Sequence, residues 1–410
     1  MSWELNRVGD MCKVKSGKRL PKGMSVQDKR TTRKYLRVTD LKSHVVDESD
    51  IKYISEDIFK LISRYTISCD DIYISIAGTV GKVGIIPASI DGISLTENCC
   101  KLTELNKSKI IQHFLLHYLR SYEGQSKIQA KTGGASQPKL AITRLKDILI
   151  PTPPLQTQKR IADILSTYDD LIENNLKRIK LLEQAAQNIY KEWFVNLRFP
   201  GYENTPINEK TGLPLGFKEV LVNSKALYFG RGITPKYKDG SGIFGINQKV
   251  NKGSIIETEH MKEFDPELNI PEKKYAHFGD VLINSLGEGT IGRVHFYSGK
   301  SVIHPVDQHM SIFRSEDLGL NLFMYLFFSS NEGQGLLASI KKGGTNMTML
   351  NIGDLRKLEI TIPNRKTLLK LQDIVLPFFK NKNLLLNQNQ KLKAARDILL
   401  PRLMNRTIEV

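Results

Sequence analysis

The sequence has little cysteine and no long apolar run, and each shortage excludes a class of protein. Charged Glu4, Arg7 and Asp10 make the N-terminus unlike a secretory signal, and no run approaches the roughly 18 apolar residues of a membrane span. The four cysteines lack paired C-x-x-C spacing, so neither a zinc site nor a disulfide framework is indicated. We expect a cytoplasmic protein with reduced, mostly buried cysteines.

Motifs of several catalytic classes are also missing. Val294 stands where a phosphate loop ending in Gly299-Lys300-Ser301 needs its first glycine. No Asn-Pro-Pro-Tyr or Asp-Pro-Pro-Tyr segment marks an amino-methyltransferase. Glu272-Lys273-Lys274 has the E-x-K spacing of some nucleases, but no Pro-Asp precedes it. These absences argue against a catalytic site in this chain.

Two local patterns imitate ligand sites. The segment from Gly287 to Gly292 fits G-x-G-x-x-G, but strand-like residues follow it instead of the helix that would face a pyrophosphate. We interpret it as a turn between strands. His113 and His117 lie four apart on a predicted helix, yet no third ligand is evident, so packing roles are favoured. We predict no metal site.

What the sequence does contain is an internal repeat. Matching positions, each 210 residues apart, include Gly133 and Gly343, Leu140 and Leu350, Ile150 and Ile360, Pro153 and Pro363, and Asp163 and Asp373. Such a duplication predicts two similar modules in a pseudo-two-fold arrangement. Between the matching positions the copies differ, which predicts one scaffold used for two different targets.

The pattern of apolar, glycine and proline residues divides the chain into four segments. Strand-like alternation and glycine-rich turns fill residues 1–153 and 199–363, whereas residues 154–198 and 364–410 each favour one long helix. We expect Pro377 and Pro401 to kink the second helix or delay its start. The predicted fold class is α+β, with two β-rich modules separated by a two-helix coiled coil.

Both long helices carry heptad patterns. The seam predicted for the first helix contains Ile161, Leu165, Tyr168, Ile172, Asn175, Ile179, Leu182 and Ile189. The second helix offers Leu371, Phe378, Leu385, Leu392 and Leu399. Because Lys382, Asn389 and Arg396 interrupt its second apolar position, we expect that part of the seam to shift toward Ile374, Leu384, Ala395 and Leu403.

The connectivity predicts how the helices are used. One leads from the first module to the second and the other leads back, so they should pack antiparallel with the modules at opposite ends. About 40 helical residues give a spacer of roughly 60 Å. Asn175 at a core position would set the register. The alternative is that each helix is simply buried against its own module.

The chain is strongly basic. It has 60 Lys and Arg residues against 43 Asp and Glu residues, for a net charge of +17. This balance favours a polyanion such as DNA, since Lys and Arg supply sequence-independent affinity for phosphates. RNA, ribosomes and acidic membrane surfaces attract basic proteins equally well.

Three segments resemble one protein family. They are Lys191-Glu192-Trp193-Phe194-Val195-Asn196-Leu197-Arg198-Phe199-Pro200-Gly201-Tyr202, Ile150-Pro151-Thr152-Pro153-Pro154-Leu155-Gln156 and Leu213-Pro214-Leu215-Gly216-Phe217. All three are similar to segments of the specificity subunits of type I restriction-modification systems. At the position of Phe217 in the third segment, Trp is commoner than Phe in that family. The resemblance covers nearly the whole chain.

The resemblance implies a division of labour. Two target recognition domains would each read one half of a split double-stranded DNA sequence, and the antiparallel helices would measure the unread spacer. The helices would also dock two methyltransferase subunits, which bind S-adenosylmethionine and methylate adenine. Restriction motor-nuclease subunits, which use ATP, complete the restriction form. The specificity subunit itself would perform no chemistry and hold no cofactor.

DNA contacts are expected from basic and amide side chains on loops, because Arg reads guanine, Asn and Gln read adenine, and Lys mostly binds phosphate. In the first module the candidates are Lys18, Arg19, Lys22, Arg37, Thr79, Lys82, Lys131, Ser136, Gln137 and Lys139. In the second they are Arg231, Lys236, Asn247, Gln248, Asn284, Thr290, Arg293, Lys341, Lys342 and Asn346.

Comparison of the two copies divides these candidates. Lys82 matches Arg293 and Lys131 matches Lys341, which favours contacts with the DNA backbone. Arg37 and Gln137 have the apolar counterparts Ile246 and Met347, so they are better candidates for base discrimination. Different loops predict two different half-sites and therefore an asymmetric target.

Two other function classes stay open. The chain could be a coiled-coil scaffold with two β-rich protein-binding modules, or a nuclease with a cryptic site. Binding of methyltransferase subunits together with salt-sensitive, sequence-specific DNA binding separates a specificity subunit from a scaffold. Metal-dependent cleavage by the isolated chain would support the nuclease.

Overall fold

The computed structural model describes residues 3–41, 46–134, 137–287, 289–299, 304–343, 348–405 and 407–410. The chain divides into unit 1, Met1–Glu173 with Asn389–Val410, and unit 2, Asn174–Gln388. The division falls inside two long helices, so each unit contains part of both. Each unit has its own hydrophobic core and is described by itself.

Unit 1 begins with short elements, as expected from its short apolar runs. The strands are β1 (Glu4–Arg7), β2 (Lys13–Ser16), β3 (Arg33–Leu36), β4 (Lys52–Ile54), β5 (Thr66–Ile67), β6 (Ile72–Ser75), β7 (Val83–Gly84), β8 (Ile93–Leu95), β9 (Cys99–Thr103) and β10 (Leu149–Thr152). The helices are α1 (Val8–Met11), α2 (Glu56–Ile62), α3 (Gln112–Arg120), α4 (Tyr122–Lys131) and α5 (Ile142–Lys146).

Two four-stranded sheets form the body of unit 1. The first is antiparallel, in the order β2-β9-β6-β7, and the second has the order β4-β3-β8-β5 with β3 parallel to β8. Apolar side chains of the first sheet share one core with α3 and with residues of both long helices. β1 pairs with β10 and so joins the beginning of the unit to the strand that precedes the first long helix.

The first long helix, α6, runs from Leu155 to Tyr190 and continues into the π-helical turn Lys191–Val195. Pro153 and Pro154 stand directly before it. They suit this place because a proline before the helix removes no helical N–H donor, and the carbonyl of Pro154 accepts from the N–H of Gln158 at 3.0 Å.

Unit 2 has the strands β11 (Lys218–Leu221), β12 (Tyr228–Arg231), β13 (Phe244–Gly245), β14 (Lys262–Glu263), β15 (Tyr275–Ala276), β16 (Val281–Asn284), β17 (Val294–Phe296), β18 (His304–Pro305), β19 (Met310–Arg314), β20 (Lys341–Lys342), β21 (Met349–Leu350) and β22 (Glu359–Ile362). Its helices are α7 (Leu318–Ser329), α8 (Asn331–Ser339) and α9 (Ile352–Arg356). The second long helix, α10 (Arg365–Met404), follows.

The plan of unit 2 repeats that of unit 1. Its main sheet has the order β12-β19-β16-β17, β11 pairs with β22, and α7 and α8 follow the sheet as α3 and α4 do. The predicted α+β class and internal repeat are therefore confirmed. The copies differ around this framework, because the described part of unit 2 has the two-stranded sheets β13-β14 and β15-β18 where unit 1 has its second four-stranded sheet.

The glycine motif in unit 2 is a turn, as predicted. Gly287, Gly289 and Gly292 lie in the connection between the paired strands β16 and β17. Their φ angles are +110°, +71° and +85°, a region that side chains with a Cβ disfavour. The spacing of the glycines therefore reflects the geometry of the turn.

The prolines of α10 do not delay its start, so of the two expected effects, a kink or a delayed start, the delay is wrong. The helix is continuous from Arg365 to Met404 and includes Pro377 and Pro401. A proline inside a helix costs about 3 kcal/mol or more. Val375 and Phe379, on either side of Pro377, are buried, and this packing offsets the cost.

Within each unit α6 and α10 run antiparallel. In unit 1 the Nδ2 of Asn389 donates to the carbonyl of Ile172 at 3.4 Å, and in unit 2 the Nδ2 of Asn175 donates to Oε1 of Gln388 at 3.2 Å. The predicted seam residues are buried or half-buried, namely Ile161, Leu165, Tyr168, Ile172, Asn175, Ile179, Leu182, Ile189, Leu371, Phe378, Leu385, Leu392 and Leu399.

The predicted shift of the α10 seam is wrong for Ile374 and Leu384, whereas Leu403 is buried and Ala395 is half-buried, as predicted. Lys382, Asn389 and Arg396 are only 4%, 5% and 6% exposed, whereas Ile374 and Leu384 are 40% and 66% exposed. The polar residues stay in the heptad because α6 supplies partners for them, which are described below. A buried polar group in a heptad is tolerated when it is paired, and it then fixes the register.

The segment that carries the family resemblance is structural. Trp193, Phe199 and Phe217 lie in the core of unit 2. Phe194 meets Phe323 edge-on with the ring centroids 5.0 Å apart, and Phe199 meets Phe217 at the same distance. The aromatic residues therefore tie the end of α6 to the beginning of the second module.

Candidate nucleic-acid interface

Loops with predicted DNA contacts meet at one end of the first sheet of unit 1. β2 and β6 end there and β9 begins there, because the strands are antiparallel. Gly17 N–H donates to the carbonyl of Cys99 at 2.8 Å. Leu140 N–H donates to the carbonyl of Ile76 at 2.9 Å and adds the double-glycine loop. We call this group, residues 17–24, 76–82, 96–98, 131–134 and 137–139, the unit 1 rim.

Most candidates of the first module are exposed on this rim. They are Lys18, Arg19, Lys22, Thr79, Lys131, Gln137 and Lys139. Gly133 and Lys139 exchange backbone hydrogen bonds of 3.0 and 2.8 Å, which hold the two ends of the double-glycine loop together. Gln137 is exposed beside this closure, and Ser136 lies outside the described residues. Exposed lysines and an exposed amide at one sheet end have the chemistry of DNA contacts.

Part of the unit 1 rim is concave. Arg19, Lys22, Tyr35, Thr96 and Glu97 line a surface pocket. Arg19 offers donors that suit guanine, and Glu97 offers an acceptor that suits the amino group of cytosine. The Nε of Arg19 lies 3.7 Å from Oε1 of Glu97, so the pocket offers, side by side, two side-chain types that can read a G·C pair.

Arg37 and Lys82 make internal contacts instead. The Nη2 of Arg37 lies 2.6 Å from Oδ1 of buried Asp40 and 3.1 Å from Oδ2 of Asp50, and the bond to Asp40 raises the pKa of Arg37. The Nζ of Lys82 donates to the carbonyl of Leu41 at 2.6 Å. Both side chains hold loops of the module, and we remove them from the set of direct contacts.

Unit 2 has an equivalent rim at the same end of its main sheet, residues 232–236, 285–287, 289–293, 306–309 and 341–343 with 349–350. Gly232 N–H donates to the carbonyl of Met310 at 3.1 Å, and Leu350 N–H donates to the carbonyl of Ser285 at 2.9 Å. Lys236, Lys341 and Lys342 are exposed there, and Lys342 also lies 2.7 Å from Asp354. Asn346 lies outside the described residues.

Two arginines of unit 2 are internal anchors. Arg231 is half-buried and donates to the carbonyl of Leu350, and burial lowers its pKa. Arg293 donates to the carbonyls of Asn251 at 3.4 Å and Gly289 at 3.2 Å. The equivalent positions Lys82 and Arg293 thus share a role in holding loops, which differs from the DNA-backbone role that the sequence suggested.

The amide candidates of unit 2 are mostly inside the module. Asn284 is 0% exposed, accepts a bond from Asn251 Nδ2 at 2.9 Å and donates to the carbonyl of Gln248 at 2.9 Å. The Oδ1 of buried Asn247 accepts from the N–H of Lys249 at 2.8 Å. These residues and half-buried Thr290 and Gln248 shape the loops, so we do not retain them as base contacts.

Sequence reasoning missed the loops that precede β9 and β19. Asn98 is exposed at the centre of the unit 1 rim, and its carbonyl accepts from the N–H of Ile76 at 2.7 Å. Gln308 occupies the equivalent loop of unit 2, where its Oε1 accepts from Thr234 at 2.7 Å. Both loops directly precede the matching strands; Gln308 matches Glu97, and Asn98 matches His309, whose carbonyl accepts from the N–H of Ser285 at 2.9 Å.

The histidine pair and the cysteines behave as structural residues. His117 is buried and its Nε2 lies 3.2 Å from the hydroxyl of Ser166, which also lies 3.2 Å from Nδ1 of His113. Burial lowers the pKa of His117 to about 4. Among the described residues there is no cluster of three or more metal-ligating side chains, and no helix combines the length and the apolarity of a membrane span. The four cysteines are free, and three of them are buried.

Comparison with known proteins identifies the family. The model of the type I restriction modification DNA specificity domain matches residues 1–184 and 238–394, which is most of the chain. The chain belongs to this family. The resemblance of the three sequence segments to type I specificity subunits is therefore confirmed.

Members of this specificity family with curated descriptions are similar to the chain. The MjaIX type I restriction enzyme specificity subunit of Methanocaldococcus jannaschii is 28% identical over 319 residues, or 73% of this chain and 69% of the relative. The HindI specificity subunit of Haemophilus influenzae is 24% identical over 365 residues, or 74% of this chain and 78% of the relative.

A solved structure shares the fold. The crystal structure of a type I restriction-modification S subunit from M. genitalium aligns with 98% of this chain and 96% of its own, with a TM-score of 0.56 and 15% identity. At this identity the likeness supports the fold, and the argument for function depends on the rims.

Proposed function

We propose that the chain is the non-catalytic DNA-specificity subunit of a type I restriction-modification complex, and that each rim reads one half of a bipartite, asymmetric target. The observation that carries the proposal is the duplicated rim. The same sheet end appears in both units, with exposed lysines at the equivalent positions Lys131 and Lys341. Lysines at equivalent places suit phosphate contacts, which carry no sequence information.

Base reading is assigned to exposed or half-buried polar residues that differ between the rims. In unit 1 they are Arg19, Glu97, Asn98 and Gln137, and in unit 2 they are Lys236 and Gln308. Because the two sets differ in chemistry, the half-sites should differ in sequence. A rim built on a shared framework can change its target without changing the framework.

The chemistry of the complex belongs to its other subunits. In this proposal methyltransferase subunits bind S-adenosylmethionine and methylate adenine N6, and restriction subunits use ATP. The specificity subunit docks both kinds of subunit and sets where they act. Support comes from the family membership and from curated relatives that are specificity subunits of restriction enzymes. A cytoplasmic location, with the host DNA, follows from the proposal.

The test is methylome sequencing of host DNA at single-molecule resolution, with the gene intact, deleted, or carrying residues 1–153 of another family member. We expect methyladenine at one split, asymmetric motif, its loss on deletion, and a change in one half of the motif after the exchange. An unchanged methylome in cells that express an active partner methyltransferase would contradict the proposal. A change in both halves would contradict the assignment of one half-site to each rim.

A further inference from the structure

Two buried acid–base contacts join the long helices, one in each unit. In unit 2 the Nζ of Lys382 lies 2.5 Å from Oε1 of Glu183 and also donates to the carbonyl of Ser254. In unit 1 the Nη1 of Arg396 lies 2.6 Å from Oδ1 of Asp169. The Lys382 and Arg396 side chains are only 5% and 7% exposed. Both acids are on α6 and both bases are on α10.

Because these contacts are buried, they affect which helix can pair with which. A buried ion pair adds little net stability, but a buried charge that loses its partner is strongly unfavourable. Neighbouring groups share in each site: Asp169 also accepts from Arg120 at 3.1 Å and faces His117 at 4.0 Å, and Arg396 also bonds Asp397. The Glu183 site in unit 2 has fewer charged neighbours, so Lys382 depends most on its partner.

The apolar seam alone does not identify the partner. Because the helices are copies of each other, most of their first heptad positions match as apolar pairs 210 residues apart, for example Ile161 with Leu371 and Leu182 with Leu392. Such a pattern suits α6 with α10, but it also suits either helix with the same helix of a second copy.

The charged positions remove this ambiguity for α10. The α10 counterparts of Glu183 and Asp169 are Lys393 and Phe379. If two α10 helices paired antiparallel in the observed register, Lys382 would face Lys393 and Arg396 would face Phe379. A buried lysine would then lie against a second lysine, and the arginine would lose its α6 carboxylate.

Self-pairing of α6 is disfavoured in the complementary way. The α6 counterparts of Lys382 and Arg396 are Ile172 and Ala186. In an α6 pair of the same register Glu183 would face Ile172 and Asp169 would face Ala186. Asp169 would still be paired with Arg120 of its own module, but Glu183 would be left without a cation.

We propose that the placement of acids on α6 and bases on α10 selects pairing of the two different helices within one chain and prevents either helix from pairing with a second copy of itself. The duplicated fold thereby stays a single chain with two unlike modules. This inference concerns the assembly of the chain and does not depend on DNA recognition.

The experiment neutralises both contacts in the full-length chain, with Asp169→Asn, Glu183→Gln, Lys382→Met and Arg396→Met. Self-association is measured by sedimentation, and by co-purification of two differently tagged copies expressed together. We expect the wild type to be monomeric and the four-residue variant to self-associate at least about tenfold more strongly. The matched control is Arg33→Met with Glu56→Gln, which removes an exposed ion pair of 2.8 Å and should leave the chain monomeric.

Two results would overturn the inference. One is a wild-type chain that dimerises with its copy at the same concentrations. The other is a neutralised variant that folds, as judged by its circular dichroism and melting, and remains monomeric. If the four-residue variant does not fold, Glu183→Gln with Lys382→Met is measured in the same way, and a folded monomer would again contradict the inference.

Discussion

Charged side chains near the rims fall into two groups that the sequence could not separate. Lys131 and Lys139 are exposed, whereas Lys82 and Arg293 donate to carbonyls of their own module. All four look alike in sequence, since each lies in a glycine-containing loop. The difference arises because long cations bond any unpaired carbonyl within reach, and the loops that provide those carbonyls are distant in the chain.

For an exposed rim lysine we predict a contact with phosphate. Lys139→Ala should weaken binding to all DNA sequences alike and reduce the slope of log affinity against log salt by about 1. Titration of labelled duplexes at several salt concentrations measures both quantities. Lys107→Ala is the control, because Lys107 is also exposed but follows β9 at the other end of the sheet. A selective loss on one sequence would instead indicate base reading by Lys139.

Buried histidines should make the fold sensitive to acid. Burial, with Lys382 nearby, lowers the pKa of His295 to about 3, and its Nδ1 donates to the carbonyl of Gly253 at 2.7 Å. The unfolded chain takes up a proton near pH 6.5 and the folded chain does not, so stability falls as the pH drops below 6.5. Between pH 7 and pH 5 this residue should account for about 2 kcal/mol of the loss.

The variant His295→Asn tests this, because the asparagine amide can donate to Gly253 without gaining a proton. The free energy of unfolding, measured with denaturant at pH 7 and at pH 5, should differ between the two pH values by about 2 kcal/mol less in this variant than in the wild type. Exposed His260→Asn serves as the control and should keep the wild-type difference. An unchanged difference in His295→Asn would mean that the ring is not held neutral in the folded state.

At the scale of elements, the sequence predicted the long helices and the repeat, but it did not predict which partners the buried polar residues of α10 would find. Heptad reasoning treats Lys382, Asn389 and Arg396 as interruptions because it assumes an apolar core. The acidic partners of Lys382 and Arg396, which are Glu183 and Asp169, lie beside the seam of the other helix, and Asn389 bonds the carbonyl of Ile172. Which residue of α6 meets which residue of α10 depends on register, and a single sequence does not give register.

Each rim contains one glycine that packs closely against a backbone carbonyl. A Cβ at Gly232 would lie 2.1 Å from the carbonyl oxygen of Val306, and one at Gly17 would lie 2.0 Å from that of Thr96. These oxygens belong to backbone and cannot move aside. We therefore expect Gly232→Ala to destabilise the chain by about 3 kcal/mol or more and to displace the loop that contains Lys236.

Gly335 provides the contrast in the same unit. It lies in α8, and a Cβ there would meet no atom within 4 Å. Gly335→Ala should stabilise the chain by about 0.5 to 1 kcal/mol, because alanine favours the helix. Denaturant unfolding of the two variants beside the wild type measures both effects. Equal stability of Gly232→Ala and wild type would show that the rim is not held by this contact.

At the scale of the whole molecule, duplication with divergence explains what was predictable. Matching apolar positions such as Leu140 and Leu350 recur because both copies bury them in the same way, so the sequence contains the framework twice. The sheet β4-β3-β8-β5 was not foreseen because it has no matching four-stranded sheet in the described part of unit 2. Strands of two to four residues leave too little pattern to identify without a second copy.

The division of reading between the rims can be tested on one DNA molecule. Gln137→Ala should lower the specificity of the chain by about 1 to 3 kcal/mol on DNA that carries both half-sites. The loss should persist when the half-site of unit 2 is scrambled and vanish when the half-site of unit 1 is scrambled. Gln308→Ala should show the reverse pattern, and the two effects should add, since each residue acts within its own unit.

Competition binding with the three duplexes, after the methylome has given both half-sites, measures these losses. If Gln137→Ala still weakened binding to DNA whose unit 1 half-site is scrambled, its amide would be contacting the DNA backbone, because a phosphate is present whatever the base. If both variants responded to the same half-site, the two rims would converge on one sequence and the asymmetric target would be wrong. A separate response from each rim is the result that divergent loops on a shared framework require.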